Sequence, residues 1–306
     1  IRCFYCMPDE NLQFLPREQL LSFEEIERFV RATGPLGLTR LRLTGGEPLV
    51  RNGLDELIRR LAALPHVVDL ALTTNGLLLA EQAQSLRAAG LHRVNVSLDS
   101  LRPEVFERIA RRSGLQRVLE GIDAALDAGF EDVRLNAVAI RGLTEDDVVP
   151  LVDFARRRRL AMRFIEFMPL DAQQNWQDAQ VLTGREIRRL VEEEWGTLKP
   201  VGRSDPSRPA TEYVFSDGQG SLGLITPVSE PFCNACDRLR LTAEGQLRNC
   251  LFSHEEWDAR ALLRGKADDQ ALRDLVRTCV GAKHAAHGIG DDDFQRPQRA
   301  MYQIGG

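Results

Sequence analysis

The sequence predicts an α/β fold built on a parallel sheet. Strand and helix signals alternate from about residue 22 to residue 195, which makes five β-then-α units. Alternation at this spacing is typical of parallel strands joined by right-handed crossover helices. The residues that could bind a ligand or take part in catalysis lie at the carboxyl ends of predicted strands, where such folds place their active sites. Periodicity alone does not distinguish a curved partial barrel from an open doubly wound sheet.

The predicted elements follow one another in a regular order. A capping box at Ser22 and Glu25 starts the first helix, whose apolar stripe continues to about residue 30. Strands are predicted at 38–43, 67–72, 92–98, 132–140 and 161–167. Helices are predicted at 54–64, 81–89, 116–128, 146–158 and 183–195. A second capping box, at Thr183 and Glu186, starts the last of these helices. A strand upstream of residue 1 would complete a sixth unit.

The pattern changes after residue 195. Residues 200–210 are rich in Pro, Arg and Ser and look like a linker. Residues 211–226 alternate like a β-hairpin around Asp217-Gly218. Two further helices are predicted within 255–279. We therefore divide the chain into domains at 1–199 and 200–306.

Composition narrows the class of protein. Hydrophobic residues make up 43% and charged residues 28% of the 306 residues, as in ordinary globular proteins. The net charge of -5 argues against a nucleic-acid-binding surface. No apolar run approaches the ~18 residues of a membrane span. We expect a cytoplasmic protein that binds neither membrane nor nucleic acid. Of its 40 basic residues, only Lys199, Lys266 and Lys283 are lysines.

Two groups of cysteines bracket the chain, Cys3 with Cys6 and, far downstream, Cys233 with Cys236 and Cys250. Six cysteines are too few for a disulfide scaffold in a chain of this length, and grouped thiolates bind metal ions or iron–sulfur clusters. By itself, the first pair fits a thioredoxin-type redox site, half of a zinc site or part of an iron–sulfur triad.

The downstream group has two interpretations. Three thiolates can hold three irons of a cubane cluster and leave the fourth iron open. His254 lies four residues after Cys250, so the same cysteines could instead form a Cys₃His zinc site.

A glycine loop, Thr44-Gly45-Gly46-Glu47-Pro48, follows the first predicted strand. Two glycines allow the backbone to approach a ligand closely, and Glu47 offers a carboxylate to a ligand ammonium group. A plain strand-to-helix turn would have the same appearance.

Together these segments resemble the radical S-adenosylmethionine (SAM) superfamily, whose signature is Cys-x₃-Cys-x₂-Cys. Cys3 and Cys6 match the last two cysteines, and Tyr5 matches the aromatic residue before the third. We expect the first cysteine four residues before Cys3, upstream of the given chain. The resemblance implies a partial (β/α)₆ barrel with a C-terminal cluster-binding extension.

A closer resemblance, to the GTP 3′,8-cyclase family of molybdenum-cofactor biosynthesis, extends over nearly the whole chain. It is carried by Cys6-Met7-Pro8, Arg42-Leu43-Thr44-Gly45-Gly46-Glu47-Pro48-Leu49, Thr73-Thr74-Asn75-Gly76, Asn95-Val96-Ser97-Leu98-Asp99-Ser100, Phe164-Ile165-Glu166-Phe167-Met168-Pro169, the downstream cysteines with Asp237-Arg238-Leu239-Arg240-Leu241-Thr242, and Gly305-Gly306.

The resemblance implies the following roles. Two [4Fe–4S] clusters are expected, one on Cys3, Cys6 and the upstream cysteine, the other on Cys233, Cys236 and Cys250. SAM would contact Gly46, Glu47, Asn75, Ser97 and Met168. GTP would contact Arg42, Thr73, Arg134, Arg238 and Arg240, and its guanine would bind the open iron of the second cluster. The Gly305-Gly306 tail would reach the active site.

Two details concern the expected GTP contacts. The family has lysine at the position of Arg134, and we expect GTP binding to be retained because arginine is this chain's usual cation.

Arg238 and Arg240 alternate on a strand-like segment, which predicts that both guanidinium groups point the same way.

The implied activity is reductive cleavage of SAM, hydrogen abstraction at C3′ of GTP and cyclisation onto C8 to give 3′,8-cyclo-7,8-dihydro-GTP. Expected partners are an electron donor such as flavodoxin or ferredoxin, the next enzyme of the pterin pathway, and a second copy in a homodimer. The alternatives are a radical SAM maturase with an auxiliary cluster, a non-enzymatic zinc-binding module and an inactive homologue.

Overall fold

A computed structural model describes residues 1–7, 14–170, 175–201 and 205–305. Its main sheet contains β1 (Arg40–Leu43), β2 (Asp69–Thr74), β3 (Arg93–Ser97), β4 (Asp132–Ala139), β5 (Ala161–Glu166), β6 (Lys199–Pro200), β7 (Ala210–Val214) and β8 (Ser221–Ile225). The strands lie in the order β1-β2-β3-β4-β5-β8-β7-β6. The five predicted strands are therefore confirmed, and they are neighbours in chain order.

Strands β1 to β5 are parallel, as predicted from their alternation with helices. The predicted hairpin is also confirmed, because β7 and β8 pair antiparallel. Strand β8 then pairs parallel with β5, so the sheet continues beyond residue 199. The division at 199/200 stays a prediction.

Most helices pack around this sheet. The helices are α1 (Phe23–Thr33), α2 (Leu54–Ala62), α3 (Leu79–Ala88), α4 (Pro103–Ala110), α5 (Leu115–Asp127), α6 (Val148–Arg157), α7 (Gly184–Trp195), α8 (Ala259–Arg264), α9 (Asp269–Gly281) and α10 (Met301–Ile304). Helices α8 and α9 pack against α1 and against the short strand Gln246–Arg248. Both capping boxes form, at the start of α1 and of α7. No helix in these four ranges is long and apolar enough to cross a bilayer.

Helix α4 was missed by the sequence analysis. It has eight residues, and Pro103 occupies its first turn, where the missing N–H costs no hydrogen bond. Val105, Phe106 and Ile109 form its buried face. The proline and this spacing were the available signals, and the helix is short enough for a connecting loop to look equally plausible.

A second, smaller sheet follows the main one. It contains β9 (Arg240–Leu241), β10 (Gln246–Arg248) and β11 (Trp257–Asp258), in the order β11-β10-β9. The prediction of one strand carrying both Arg238 and Arg240 is wrong, because β9 begins at Arg240. The main-chain oxygen of Arg238 instead accepts a hydrogen bond from Lys283 Nζ at 3.3 Å.

The two faces of the main sheet differ in polarity. Along β4, Val133, Leu135, Ala137 and Ala139 are buried in the apolar core, and the intervening residues are less buried. Because side chains alternate along a strand, the opposite face carries the polar residues, including Arg134. This polar face is where the predicted site residues of the sheet lie.

Candidate active site

Parallel register places four predicted site residues on the polar face of the main sheet. These are Arg42, Thr73, Ser97 and Arg134. Thr73 pairs with Asn95, and Asn95 pairs with Arg134. Arg42 pairs with Ala71, two residues before Thr73, and Ser97 follows Asn95 by two, so both share the face. Residues that are far apart in sequence thus share one surface.

Arg42 and Arg240 are cations without an acidic partner among the residues that the structure describes. Desolvation by the groups packed around it lowers the pKa of Arg42 to about 10, although part of its side chain stays exposed, and the charges of Arg93 and Arg163 add to the effect. Burial likewise lowers the pKa of Arg240 to about 10, with a contribution from Arg238. Such a concentration of uncompensated positive charge favours a polyanionic ligand.

Arg134 differs from these two because its charge is already compensated. Its Nε donates to Asp132 Oδ1 at 2.6 Å and its Nη2 to Asp132 Oδ2 at 2.5 Å. The forked guanidinium matches the two carboxylate oxygens, which a lysine could not do. An anion that binds Arg134 must therefore share it with Asp132.

The glycine loop is held by Glu47. Its Oε1 accepts from Leu49 N at 3.0 Å and from Thr74 Oγ1 at 2.7 Å, and its Oε2 accepts from Asn75 N at 2.8 Å. Burial raises the pKa of this carboxyl, and these hydrogen bonds oppose the rise. The carboxylate therefore fastens the loop to the end of β2, and Oε2 retains room for one more donor.

Gly46 presents open space beside the first cysteine group. A Cβ added there would meet only Met7 Cε, at 4.0 Å. Gly45 has φ +151°, which a residue with a side chain rarely adopts. The loop thus offers bare backbone to a ligand.

The first cysteine group forms a tight turn, in which Cys6 N and Met7 N each donate to Cys3 O at 3.0 Å. The turn is anchored by Tyr5, whose hydroxyl donates to Asp99 Oδ2 at 2.7 Å. Asp99 also accepts from Val138 N at 2.8 Å. The sequence analysis did not assign a role to Asp99, although it stands two residues after Ser97.

Helix α4 supports the same turn from the other side. Arg2 N donates to Ala110 O at 3.0 Å and Phe4 N to Ile109 O at 3.1 Å. A cavity lies between the turn, the strand ends and α4, with Cys3, Asn75 and Ser97 in its lining. Three predicted site residues thus meet in one cavity. Met168 lies two residues beyond the end of β5.

The second cysteine group follows the main sheet in the chain, with Cys233 and Cys236 between β8 and β9 and with Cys250 between β10 and β11. Cys233 begins a 3₁₀ turn, and Cys236 N donates to Cys233 O at 3.0 Å. Arg238 Nε and Lys283 Nζ approach Cys236 Sγ at 3.4 and 3.3 Å. Burial by itself would raise the pKa of Cys236, but the charge and hydrogen bonds of Arg238, with the charge of Lys283, hold it at about 7.

The thiols of this group influence one another without meeting at one point. Charges at Cys250 and Cys236 help burial to raise the pKa of Cys233. Within the described ranges, no three His, Cys, Asp or Glu side chains lie close enough together to hold a metal ion. The Nε2 atom of His254, the fourth ligand of the zinc alternative, lies 3.2 Å from Gln295 O.

Glu166 anchors the loop that leads to Cys233, and the sequence analysis missed this role. The carboxylate is 1% exposed and accepts from Gly184 N at 2.9 Å, Val228 N at 3.0 Å and Ser229 N at 2.9 Å. A single acidic residue at the end of a strand that is apolar except for one arginine was the available signal.

The C-terminal tail reaches the glycine loop. Gly305 is buried with φ +81°, and a Cβ added to it would lie 2.4 Å from Thr44 Oγ1. Arg240 Nε donates to Gly305 O at 3.4 Å. Gly305 thus lies between the glycine loop and Arg240. Gly306, the other predicted tail residue, lies outside the described residues.

Comparison with known families gives two matches that divide the chain. Residues 1–155 match the Radical SAM superfamily, and residues 160–289 match Molybdenum Cofactor Synthesis C.

The chain also matches curated proteins over its whole length. It is 51% identical to a GTP 3′,8-cyclase of Rhodopirellula baltica, covering 100% of this chain and 86% of that protein. It is 44% identical to a GTP 3′,8-cyclase of Pelotomaculum thermopropionicum, covering 100% of this chain and 94% of that protein.

Among solved structures, Streptococcus suis SuiB bound to its precursor peptide SuiA matches with a TM-score of 0.64 at 12% identity. The match covers 98% of this chain and 71% of that one. At this level of identity, the match establishes a shared fold only.

Proposed function

The chain belongs to the GTP 3′,8-cyclase family of the radical SAM superfamily, and from this premise we propose which of its residues carry out the reaction. It is an enzyme that uses SAM and a [4Fe–4S] cluster. The proposal rests chiefly on one observation. Gly305 touches Thr44 of the glycine loop and also accepts a hydrogen bond from Arg240. The glycine loop and the proposed GTP-binding arginine therefore lie on either side of the same tail residue, which supports a SAM site and a GTP site close to each other.

Cys3 and Cys6 are the proposed ligands that this chain supplies to the first cluster. Both thiols are free, and Cys3 lines the cavity, so the donor set suits an iron–sulfur cluster. The cluster supplies the electron that cleaves SAM. The open backbone at Gly46 and the cavity-lining Asn75 and Ser97 are proposed to contact SAM, together with Met168 and the remaining acceptor position of Glu47.

Arg42 and Arg240 are the proposed centre of the triphosphate site. Arg42 is exposed and Arg240 is half-buried, and desolvation together with neighbouring positive charges lowers the pKa of each to about 10, an effect that a bound polyphosphate would offset. Thr73 and Arg238 complete this set. Arg134 would bind the triphosphate while keeping its ion pair with Asp132, so its contribution to GTP affinity should be smaller than that of Arg240.

Cys233, Cys236 and Cys250 are the proposed ligands of a second [4Fe–4S] cluster. The fit rests on donor chemistry, because three free thiols share a half-buried environment and two cations stabilise a thiolate at Cys236. We further propose that guanine of GTP binds at this cluster. We also propose three partners for the protein. They are a flavodoxin or ferredoxin as electron donor, the next enzyme of the pterin pathway, and a second copy of the chain in a homodimer.

The substitution Arg240→Ala tests the site assignment. We expect GTP affinity of the anoxically reconstituted full-length protein to fall about tenfold or more, since hydrogen bonds to charged groups contribute about 1.5–3 kcal/mol. SAM affinity should be unchanged, and both are measured by calorimetry. Arg189→Ala, an exposed position on α7, is the control. Equal loss of both affinities would contradict the assignment.

Metal analysis of the same protein separates the alternatives. About eight irons and eight sulfides per chain, as two cubane clusters require, support the proposal. About four irons with one zinc would contradict the proposed second cluster and support the first.

A further inference from the structure

Lys283 is one of the few lysines in a chain whose basic residues are mostly arginine. The sequence has 40 basic residues, of which only three are lysines. Lys199 and Lys266 are exposed, whereas Lys283 is half-buried. Its Nζ lies 3.3 Å from Cys236 Sγ and 3.3 Å from the main-chain oxygen of Arg238. One compact ammonium therefore bridges a thiol and the backbone that follows it.

The residues after Lys283 continue this contact. The main chain of His287 donates a hydrogen bond to Cys233, which lowers the pKa of that thiol against the effect of burial. The ring of His287 accepts from Ile289 N at 3.0 Å and contacts Pro227 O at 2.8 Å. The segment 283–287 thus donates to two of the three downstream thiols and holds the loop that leads to them.

A cation beside a cluster ligand has a predictable effect on the cluster. Reduction adds one negative charge, so a nearby ammonium stabilises the reduced form more than the oxidised form. Hydrogen bonds to ligand sulfurs act in the same direction and are a recognised determinant of reduction potential.

We propose that Lys283 is a positioning residue for the second cluster, whose ammonium contacts the Cys236 thiolate and raises the reduction potential of the cluster. This inference rests on the proposed assignment of Cys233, Cys236 and Cys250 as cluster ligands. It concerns the electronic state of the cluster and adds no ligand to it.

The test is a redox titration followed by electron paramagnetic resonance. Full-length protein carrying Cys3→Ala and Cys6→Ala is reconstituted, so that only the downstream cluster contributes. Lys283→Gln should lower the midpoint potential and change the reduced-to-oxidised ratio at a fixed potential about tenfold, which is 59 mV for one electron. The midpoint potential of Lys283→Arg should stay closer to that of the parent protein, because arginine keeps the positive charge.

Lys266→Gln is the matched control, because it removes the same charge from an exposed loop. An unchanged potential in Lys283→Gln with iron fully retained would overturn the inference and leave the cluster assignment intact. Loss of the cluster in both Lys283→Gln and Lys283→Arg would assign a purely structural role and also overturn it. Zinc in place of iron in the parent would overturn the cluster assignment itself.

Discussion

Single residues decide the local geometry of the glycine loop. The Glu47 carboxylate accepts three hydrogen bonds, from Leu49, Thr74 and Asn75. These donors come from the turn that follows the glycine loop and from the end of β2. One side chain thus sets the position of the bare backbone at Gly46, which is the proposed SAM contact.

Replacing this carboxylate tests that role. Glu47→Gln keeps the size but turns one acceptor oxygen into a donor that faces other donors. We expect unfolding free energy to fall by about 1–3 kcal/mol, the usual cost of buried groups left unpaired, and SAM affinity to fall with it. Chemical denaturation and calorimetry measure the two effects.

The exposed Glu107→Gln on α4 is the control for Glu47→Gln. An unchanged SAM affinity with reduced stability would limit Glu47 to a structural role.

Some residue-scale contacts were predictable and others were not. Cys3, Asn75 and Ser97 each stand in a motif, and the structure brings them into one cavity. The hydrogen bond from Tyr5 to Asp99 joins residues 94 positions apart. No local pattern specifies such a partner, because it depends on how the first turn packs against β3 and α4.

Among the secondary-structure elements, too, some were predictable from the sequence and others were not. The start of α7 was predicted from its capping box, and the structure confirms it. Thr183 Oγ1 accepts from Glu186 N at 3.4 Å, and Thr183 N donates to Glu186 Oε2 at 3.0 Å. This reciprocal pair involves only four consecutive residues. Helix α4 was missed because its eight residues are stabilised largely by the turn and core that it packs against.

The α7 capping box predicts a pH-dependent stability. Hydrogen bonds from Thr183, with a further one from Arg141, hold the pKa of Glu186 at about 2 despite partial burial. The unfolded value is about 4.3. Since the folded pKa is the lower one, the contribution is present above about pH 4.3 and is lost as the pH falls towards 2.

Glu186→Gln should therefore destabilise the protein by about 0.5 kcal/mol at pH 7 and by less at pH 3. Urea unfolding followed by circular dichroism at both pH values measures the difference. Glu194→Gln, exposed on the same helix, should show no such dependence. An equal loss at both pH values would mean that the ionised form of Glu186 makes no special contribution.

At the scale of the whole molecule, the tail connects the smaller sheet to the glycine loop. Gly305 packs against Thr44, and Arg299 forms ion pairs with Glu244 and Glu256. The tail is thereby fixed to the smaller sheet and delivered to the glycine loop. This arrangement requires both parts of the chain to be folded together.

Gly305→Ala tests the docking of the tail. The added methyl group would clash with Thr44 Oγ1, and the positive φ of +81° falls in a sparsely populated region that costs a non-glycine residue about 1–3 kcal/mol. We expect faster hydrogen exchange at residues 300–305 and lower cyclase activity. Gly281→Ala is the control, because nothing lies within 4 Å of a Cβ there. Unchanged exchange and activity would show that the docked tail is dispensable.

The amino-acid sequence by itself determined the alternating units, the capping boxes, the hairpin and the two cysteine groups. Each of these depends on residues that are close in sequence, whose periodicity and spacing are directly readable. Only the tertiary structure decided that Arg42 and Arg240 lack an acidic partner in the described ranges. It also placed Gly305 against Thr44 and Lys283 against Cys236. These contacts follow from strand register and packing, which join residues that no local pattern connects.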